Sequence, residues 1–404
     1  MGTSRQSSGP GRWSGARVDV PSTYTLVNGA ESSPCFDGGM GKMDVERAVR
    51  GDGHARGTAR LEVLDGLRGL AVLVVLASHF SAAVLLPRPA LHGVGKSGVY
   101  LFFVLSAYLL ARNLLRQPPG ALRQARTWLD YALRRVLRIW PLYLVVLGAS
   151  WLALSMGHPV LYDIDTAALW RHLTLREGRS VLWSIPVEFT FYLWLPLLVL
   201  ALVGMARWRW PAWAQTGVFV VALVAATWCW PPAESVENGV RLGPYLVVFL
   251  CGAFAARVDE WAARRPSSAS WWGAVALLAV ALWCVAIPAI WCHLRGMPFE
   301  ATVTRTWYLF FGMIWAMLLL ATLHGPGWLR RVFAWRGLRW VGLVSFSLYL
   351  WHMPVMEALL RMGVIEHLSW AAILVVLPAA LVVAGLSWWL FERPLQGIRL
   401  RRQR

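Results

Sequence analysis

Charge is scarce in this chain. Asp, Glu, Lys and Arg together make up 15% of its 404 residues, against about 25% in soluble domains. Lysine is nearly missing, present only at positions 42 and 96, so the cationic side chains are arginines, a bias of a GC-rich genome. The five cysteines (Cys35, Cys229, Cys251, Cys284, Cys292) show no CxxC or CxxH spacing, which argues against a metal site. A GxSxG turn and a cysteine-nucleophile signature are both missing, so neither a serine-elbow hydrolase nor a thiol enzyme is expected. The first sixty residues hold no apolar core of signal-peptide type, and Gln6 stands where myristoylation needs Ser or Thr.

What is abundant is apolar surface. Hydrophobic residues reach 57%, mean hydropathy is +0.51, and there are 26 tryptophans, the residue that anchors helices at lipid headgroups. The net charge of +18 is compatible with nucleic acid only if a soluble basic domain carries it, and none is visible. Basic loops on one face of a membrane account for it better. Cys229 and Cys292 both fall near the expected outer surface, where a disulfide can form, although buried cysteine more often just packs.

Residues 1–60 are rich in Gly, Ser and Arg without apolar period and read as a disordered cytoplasmic tail. Beyond them, apolar segments of spanning length recur, since about 20 residues cross the hydrocarbon core. They lie near 67–86, 98–115, 140–156, 187–205, 214–231, 242–256, 271–291, 306–323, 340–360 and 370–391. The expected fold is therefore an all-α integral membrane bundle of about ten helices. The domains are the tail 1–60, a membrane domain 61–395 and a basic cytoplasmic end 396–404. With both termini inside, 29 of the 39 basic residues lie on inner segments and nine on outer loops, as the positive-inside rule requires.

Within the first span, Arg68 and His79 are eleven positions apart. At about 100° per residue this brings both to one helix face, roughly 16 Å apart along the axis. Ionisable groups inside a membrane are costly and mark functional sites. With the N-terminus inside, Arg68 sits at the inner boundary and His79 beyond the midplane. Glu188 and His352 fall at similar depth on two other spans, which argues for a shared polar cavity. Histidine beside a carboxylate is a general base for a hydroxyl. Arg134, Arg135 and Arg138 gather at the inner face, where guanidinium forks suit phosphate. The positive-inside rule alone also predicts arginines there, and His352, next to Trp351, serves equally as scaffold or site. Glu392-Arg393-Pro394 is expected to end the last helix.

Six blocks then occur in order: LDGLRGLAVLVVLASHF (64–80), GVYLFFVLSAYLL (98–110), RRVLRIWPLY (134–143), LWSIPVEFTFYLWLPLL (182–198), SFSLYLWHMPV (345–355) and FERPL (391–395). Together they resemble the type 3 acyltransferases, multispan membrane proteins that move acyl groups, usually from acyl-CoA, onto hydroxyls. The resemblance implies His79 as catalytic histidine and Arg68 as its partner in the Arg-x10-His motif. Arg135 and Arg138 match the Arg-x-x-Arg pair where the acyl donor docks, and Glu188 matches the acid of the WS-x-x-x-E block. Ala107 stands where Gly is usual, and Pro186 bears on where the Glu188 helix starts. No fused periplasmic hydrolase-like domain is expected.

The resemblance implies acyl-CoA as donor, acetyl being the family default, and no metal. It implies a hydroxyl of a glycan, lipid or secondary metabolite such as a macrolide as acceptor, and the bacterial cytoplasmic membrane as location. A proton-coupled transporter using the same His, Glu and Arg set is the rival reading. No inverted repeat supports it.

Overall fold

In the computed structural model, residues 42–398 are described, apart from 84, 87–89, 119, 159–160, 236–237, 266, 366–368 and 397, with side chains from 60 onward. Most of the expected tail, 1–41, and residues 399–404 lie outside the described residues. Contacts divide the chain into Met1–Asp52, of which helical backbone is described from 42, and Gly53–Arg404. Everything below concerns the second unit.

The described residues are all-helical, and no strand occurs among them. In chain order the helices are α1 (Lys42–Ala82), α2 (Gly95–Leu115), α3 (Ala125–Ser155), the short α4 (Thr166–Leu173), α5 (Ser184–Arg207), α6 (Ala212–Cys229) and α7 (Leu246–Arg264). Then follow α8 (Ala269–Val285), α9 (Pro288–Leu294), α10 (Tyr308–His324), α11 (Gly327–Phe333), α12 (Arg336–Leu343), α13 (Ser345–Arg361), α14 (Ile373–Ser387) and α15 (Arg393–Gln396). A single π-helical turn, Trp388–Glu392, joins the last two.

Every expected span carries a helix. By length and composition, five of these helices can cross a membrane, and eight spans result if each of three bent pairs is one span. The bent pairs are α8 with α9 (75°), α10 with α11 (112°) and α12 with α13 (76°). The bends have local causes. Pro288 opens α9 because its missing N–H costs nothing at a first helical position, and Pro326 stands one residue before α11, as its N-cap. Pro186 lies inside the first turn of α5, where it is tolerated. Cys229 and Cys292 are both free, the first exposed and the second buried, so no disulfide joins them.

Backbone packs closely around α1. A Cβ on Gly98 of α2 would stand 2.6 Å from the Ala71 carbonyl oxygen, and one on Gly342 of α12 would stand 1.8 Å from that of Asp65. Only glycine fits at either contact, as in small-residue packing of membrane helices. These two contacts set the position of α1, and with it Arg68 and His79, against α2 and α12.

Candidate active site

Two prolines free backbone carbonyls that then tie the site helices together. Proline has no N–H, so the carbonyl four residues earlier loses its helical donor. Pro196 of α5 thus releases the Tyr192 carbonyl, which accepts from the Tyr131 hydroxyl of α3 at 2.9 Å. Pro354 of α13 releases the Leu350 carbonyl, which accepts from the Tyr162 hydroxyl at 2.8 Å. A buried unpaired carbonyl costs about 1–3 kcal/mol, so each tyrosine turns a helix defect into a tertiary link.

On α13, the His352 Nδ1 lies 2.9 Å from the Tyr349 carbonyl oxygen and 3.2 Å from that of Leu348. A carbonyl only accepts, so Nδ1 carries the proton. In the neutral ring, Nε2 is then an acceptor. His79 Nδ1 lies 2.8 Å from it and must be the donor. The lone pair of His79 is left on Nε2. The two ring planes are 14° apart with centroids 5.0 Å apart, as for rings meeting edge to edge. His352 is fully buried.

Two cavities lie among these helices, and His79 lines the second of them. The first is lined by Arg68, Phe102, Ser106, Arg138, Glu188 and Tyr349 among others. The second is lined by His79, His92, Lys96, Ser180, Asn238 and Arg305 among others. Val99 and Tyr349 line both, so the two spaces share a wall. Tyr349 is anchored there by its hydroxyl, which donates to the Val181 carbonyl at 2.6 Å and accepts from Ser184 Oγ at 3.0 Å.

The predicted residues thus divide between the two spaces. Arg68, Arg138 and Glu188 share the first cavity, and Arg68 also pairs with Asp65 at 3.4 Å. Arg135, on the same helix as Arg138, sets its guanidinium 5.6 Å from the centre of the Tyr192 ring, and its buried Nε has no hydrogen-bond partner. Glu188 accepts from the Ser106 and Tyr192 hydroxyls. The hydrogen-bond partner of His79 is His352. The expectation of a shared His79–Glu188–His352 level therefore splits: the two histidines meet, and the carboxylate lies with the arginines. A proline-bearing helix such as α5 does not have its depth fixed by counting alone.

Sequence reasoning passed over Ser106, Tyr192 and Tyr349. Two of them carried a signal in their spacing. Tyr192 is four residues from Glu188 and Tyr349 three from His352, each on its neighbour's helix face.

Partly buried ionisable groups from separate helices, arranged around two cavities in an all-helical apolar bundle, are the features of a membrane protein with a candidate site among its helices. The comparisons with known proteins give the class of reaction. The acyltransferase domain of the acyltransferase 3 family matches residues 61–392, and the chain belongs to that family. It is similar to nodulation protein 10 of Rhizobium leguminosarum bv. viciae, at 26% identity over 75% of this chain and 82% of the relative. It is also similar to a peptidoglycan O-acetyltransferase of Listeria monocytogenes, at 27% identity over 82% of this chain and 55% of the relative. A putative peptidoglycan O-acetyltransferase of Bacillus subtilis gives 27% identity over 83% and 55%. The chain spans about half the length of these two O-acetyltransferases. No solved structure matches it. The chain is thus an acyltransferase, which sets aside the carrier reading.

Proposed function

We propose that the protein is an O-acyltransferase of the bacterial cytoplasmic membrane, moving an acetyl group from acetyl-CoA to a hydroxyl on a glycan, lipid or secondary metabolite. The observation that carries this reading is the His79–His352 hydrogen bond, with His79 lining a cavity that shares Val99 and Tyr349 with the cavity of Arg68 and Arg138. In this reading the chain spans the membrane about ten times with both termini inside. Residues 61–395 form the catalytic domain, 1–60 and 396–404 cytoplasmic ends.

The donor enters on the Arg68 side. Its phosphates are anions, and the guanidinium forks of Arg68, Arg135 and Arg138 suit them. The buried, unpaired Nε of Arg135 gives such a ligand a donor to satisfy. The acyl end then extends past Tyr349 toward His79. Nε2 of His79 removes the acceptor's hydroxyl proton while the oxygen attacks the thioester carbonyl, and the C–S bond breaks to release CoA. The alternative order, with Nε2 itself taking the acyl group first, uses the same lone pair. His352 holds the tautomer and so acts as a positioning residue. Glu188, held by Ser106 and Tyr192, offsets the arginine charge beside the donor.

The test uses membranes containing wild-type or His79→Ala protein at matched levels, supplied with radiolabelled acetyl-CoA. Transfer of label to ester is expected to fall at least about 100-fold in the variant. Full transfer by His79→Ala overturns the assignment.

A further inference from the structure

Away from both cavities, a groove runs between α12 and α14. Pro378, Leu381, Val382, Gly385 and Leu386 of α14 line one side and Trp340 of α12 the other. The five α14 positions recur at spacings of three and four, so they form one stripe of that helix. Gly385 opens the floor, since a Cβ there would meet the Trp340 ring at 3.5 Å, an ordinary contact. No lining residue is charged, and Val382, Leu386 and Trp340 are all exposed.

The Trp340 side of the groove leads to cations. Arg336 stands one helical turn before Trp340, on the same face of α12, and it is exposed. The preceding α11 exposes Arg330 and Arg331. No Asp or Glu occurs from residue 325 to 356 or from 370 to 391. Among the described residues, the side chains of Arg330, Arg331 and Arg336 form no ion pair, whereas Arg339 is taken by Glu62 of α1 at 2.9 Å. The exposed Trp328, Trp335 and Trp340 interleave with these arginines. Tryptophan and arginine together mark the level of lipid headgroups, and the stripe on α14 supplies apolar surface for a chain leading away from it.

We infer that the groove between α12 and α14 binds one phospholipid with an anionic headgroup, its phosphate on Arg336 and one acyl chain along the α14 stripe. Each cation near the headgroup is worth about fivefold in affinity. A second copy of the chain fits less well, because a two-fold contact through this groove brings like-charged arginine faces together. The lipid also braces the donor side of the molecule. A Cβ on Gly69 would stand 2.3 Å from the Leu338 carbonyl oxygen, so α12 lies directly against the turn of α1 that carries Arg68. Binding of this lipid stands independently of the acyl-transfer reading.

Full-length protein, delipidated in detergent, is titrated with phosphatidylglycerol or phosphatidylcholine of matched chains, and bound lipid is counted by native mass spectrometry. Wild type is expected to hold one phosphatidylglycerol at least about fivefold more tightly than phosphatidylcholine. Arg336→Gln should lose most of that preference and Arg336→Lys should keep it, which a folding defect would not do. Gly385→Leu, which fills the groove, should weaken both lipids about 10-fold or more. Equal affinity of the wild type for the two lipids overturns the inference. So does binding left undiminished by both Arg336→Gln and Gly385→Leu. A dimer mass that disappears in Gly385→Leu gives the groove to a second copy and likewise overturns it. Acetyl transfer is not read in this experiment, so its failure leaves the acyl-transfer reading standing.

Discussion

At His79 the tautomer is chosen by backbone. The Tyr349 carbonyl fixes the proton of His352, His352 fixes that of His79, and Nε2 is left with the lone pair that the proposed reaction uses. Removing His352 frees the imidazole to rotate and to swap tautomers. His352→Ala is expected to lower kcat about 100-fold with the acetyl-CoA KM nearly unchanged. His352→Gln, whose side-chain carbonyl can still accept from Nδ1, should recover part of that loss. Steady-state kinetics on both variants check this, and equal damage from the two would show that packing rather than the tautomer matters. The shared face of Arg68 and His79 is legible in the sequence because a helix has a fixed turn. The His79–His352 contact is not, because the residues are 273 positions apart and nothing local links them.

Among the elements, α5 and α13 are held by hydroxyls that replace proline's missing donors. Tyr131→Phe is expected to cost about 1–3 kcal/mol by leaving the Tyr192 carbonyl bare. The same change in a Pro196→Ala background should cost clearly less, because alanine at that position restores a helical N–H. A double-mutant cycle in thermal unfolding of detergent-solubilised protein measures that coupling. The α3–α5 connection, outside the apolar spans, behaves differently. Burial pushes His172 down to about 4, beside a Tyr143 hydroxyl 3.1 Å from its Nδ1. Burial also acts to raise Glu177, but hydrogen bonds from Arg171 and Arg179 prevail and hold it below its usual range. Both folded-state values lie below the unfolded ones, so the unfolded loop binds more protons and stability falls as pH falls. For His172 the window runs from about 6.5 down to about 4. Amide protection factors across 163–179, which correct for the slower intrinsic exchange at lower pH, should therefore fall from pH 7 to pH 5, and His172→Gln should flatten the change.

For the whole molecule, a large apolar core is joined by a few specific polar contacts. Asp259 of α7 accepts from Tyr108 at 3.0 Å and from Arg112 at 3.2 Å, and it pairs with His324 of α10 at 2.8 Å and with Arg60 of α1. It thus links four helices while almost fully buried. Asp259→Asn is expected to cost about 3–5 kcal/mol, the toll of leaving buried cations unpaired, and to lower the folded yield in membranes as read by fluorescence-detected size exclusion. Gly98→Val, which drives side-chain atoms into the Ala71 carbonyl, should act the same way by about 1–3 kcal/mol. Activity per folded molecule should survive Asp259→Asn, since Asp259 touches neither cavity.

The sequence by itself determined that this is a helical membrane protein. It also set the positions of the helices and which of them carry His79, Arg68, Glu188 and the arginine pair. Apolar runs, helix periodicity and ordered motif blocks are local properties of the chain, so composition and spacing suffice to read them. Tertiary structure alone decided that His79 pairs with His352 while Glu188 sits with Arg68 and Arg138, and that a second cavity opens beside His79. Those facts depend on how far bent helices slide past one another and on which distant loops close over His79. Contacts through space decide both, and residue spacing along the chain does not encode them.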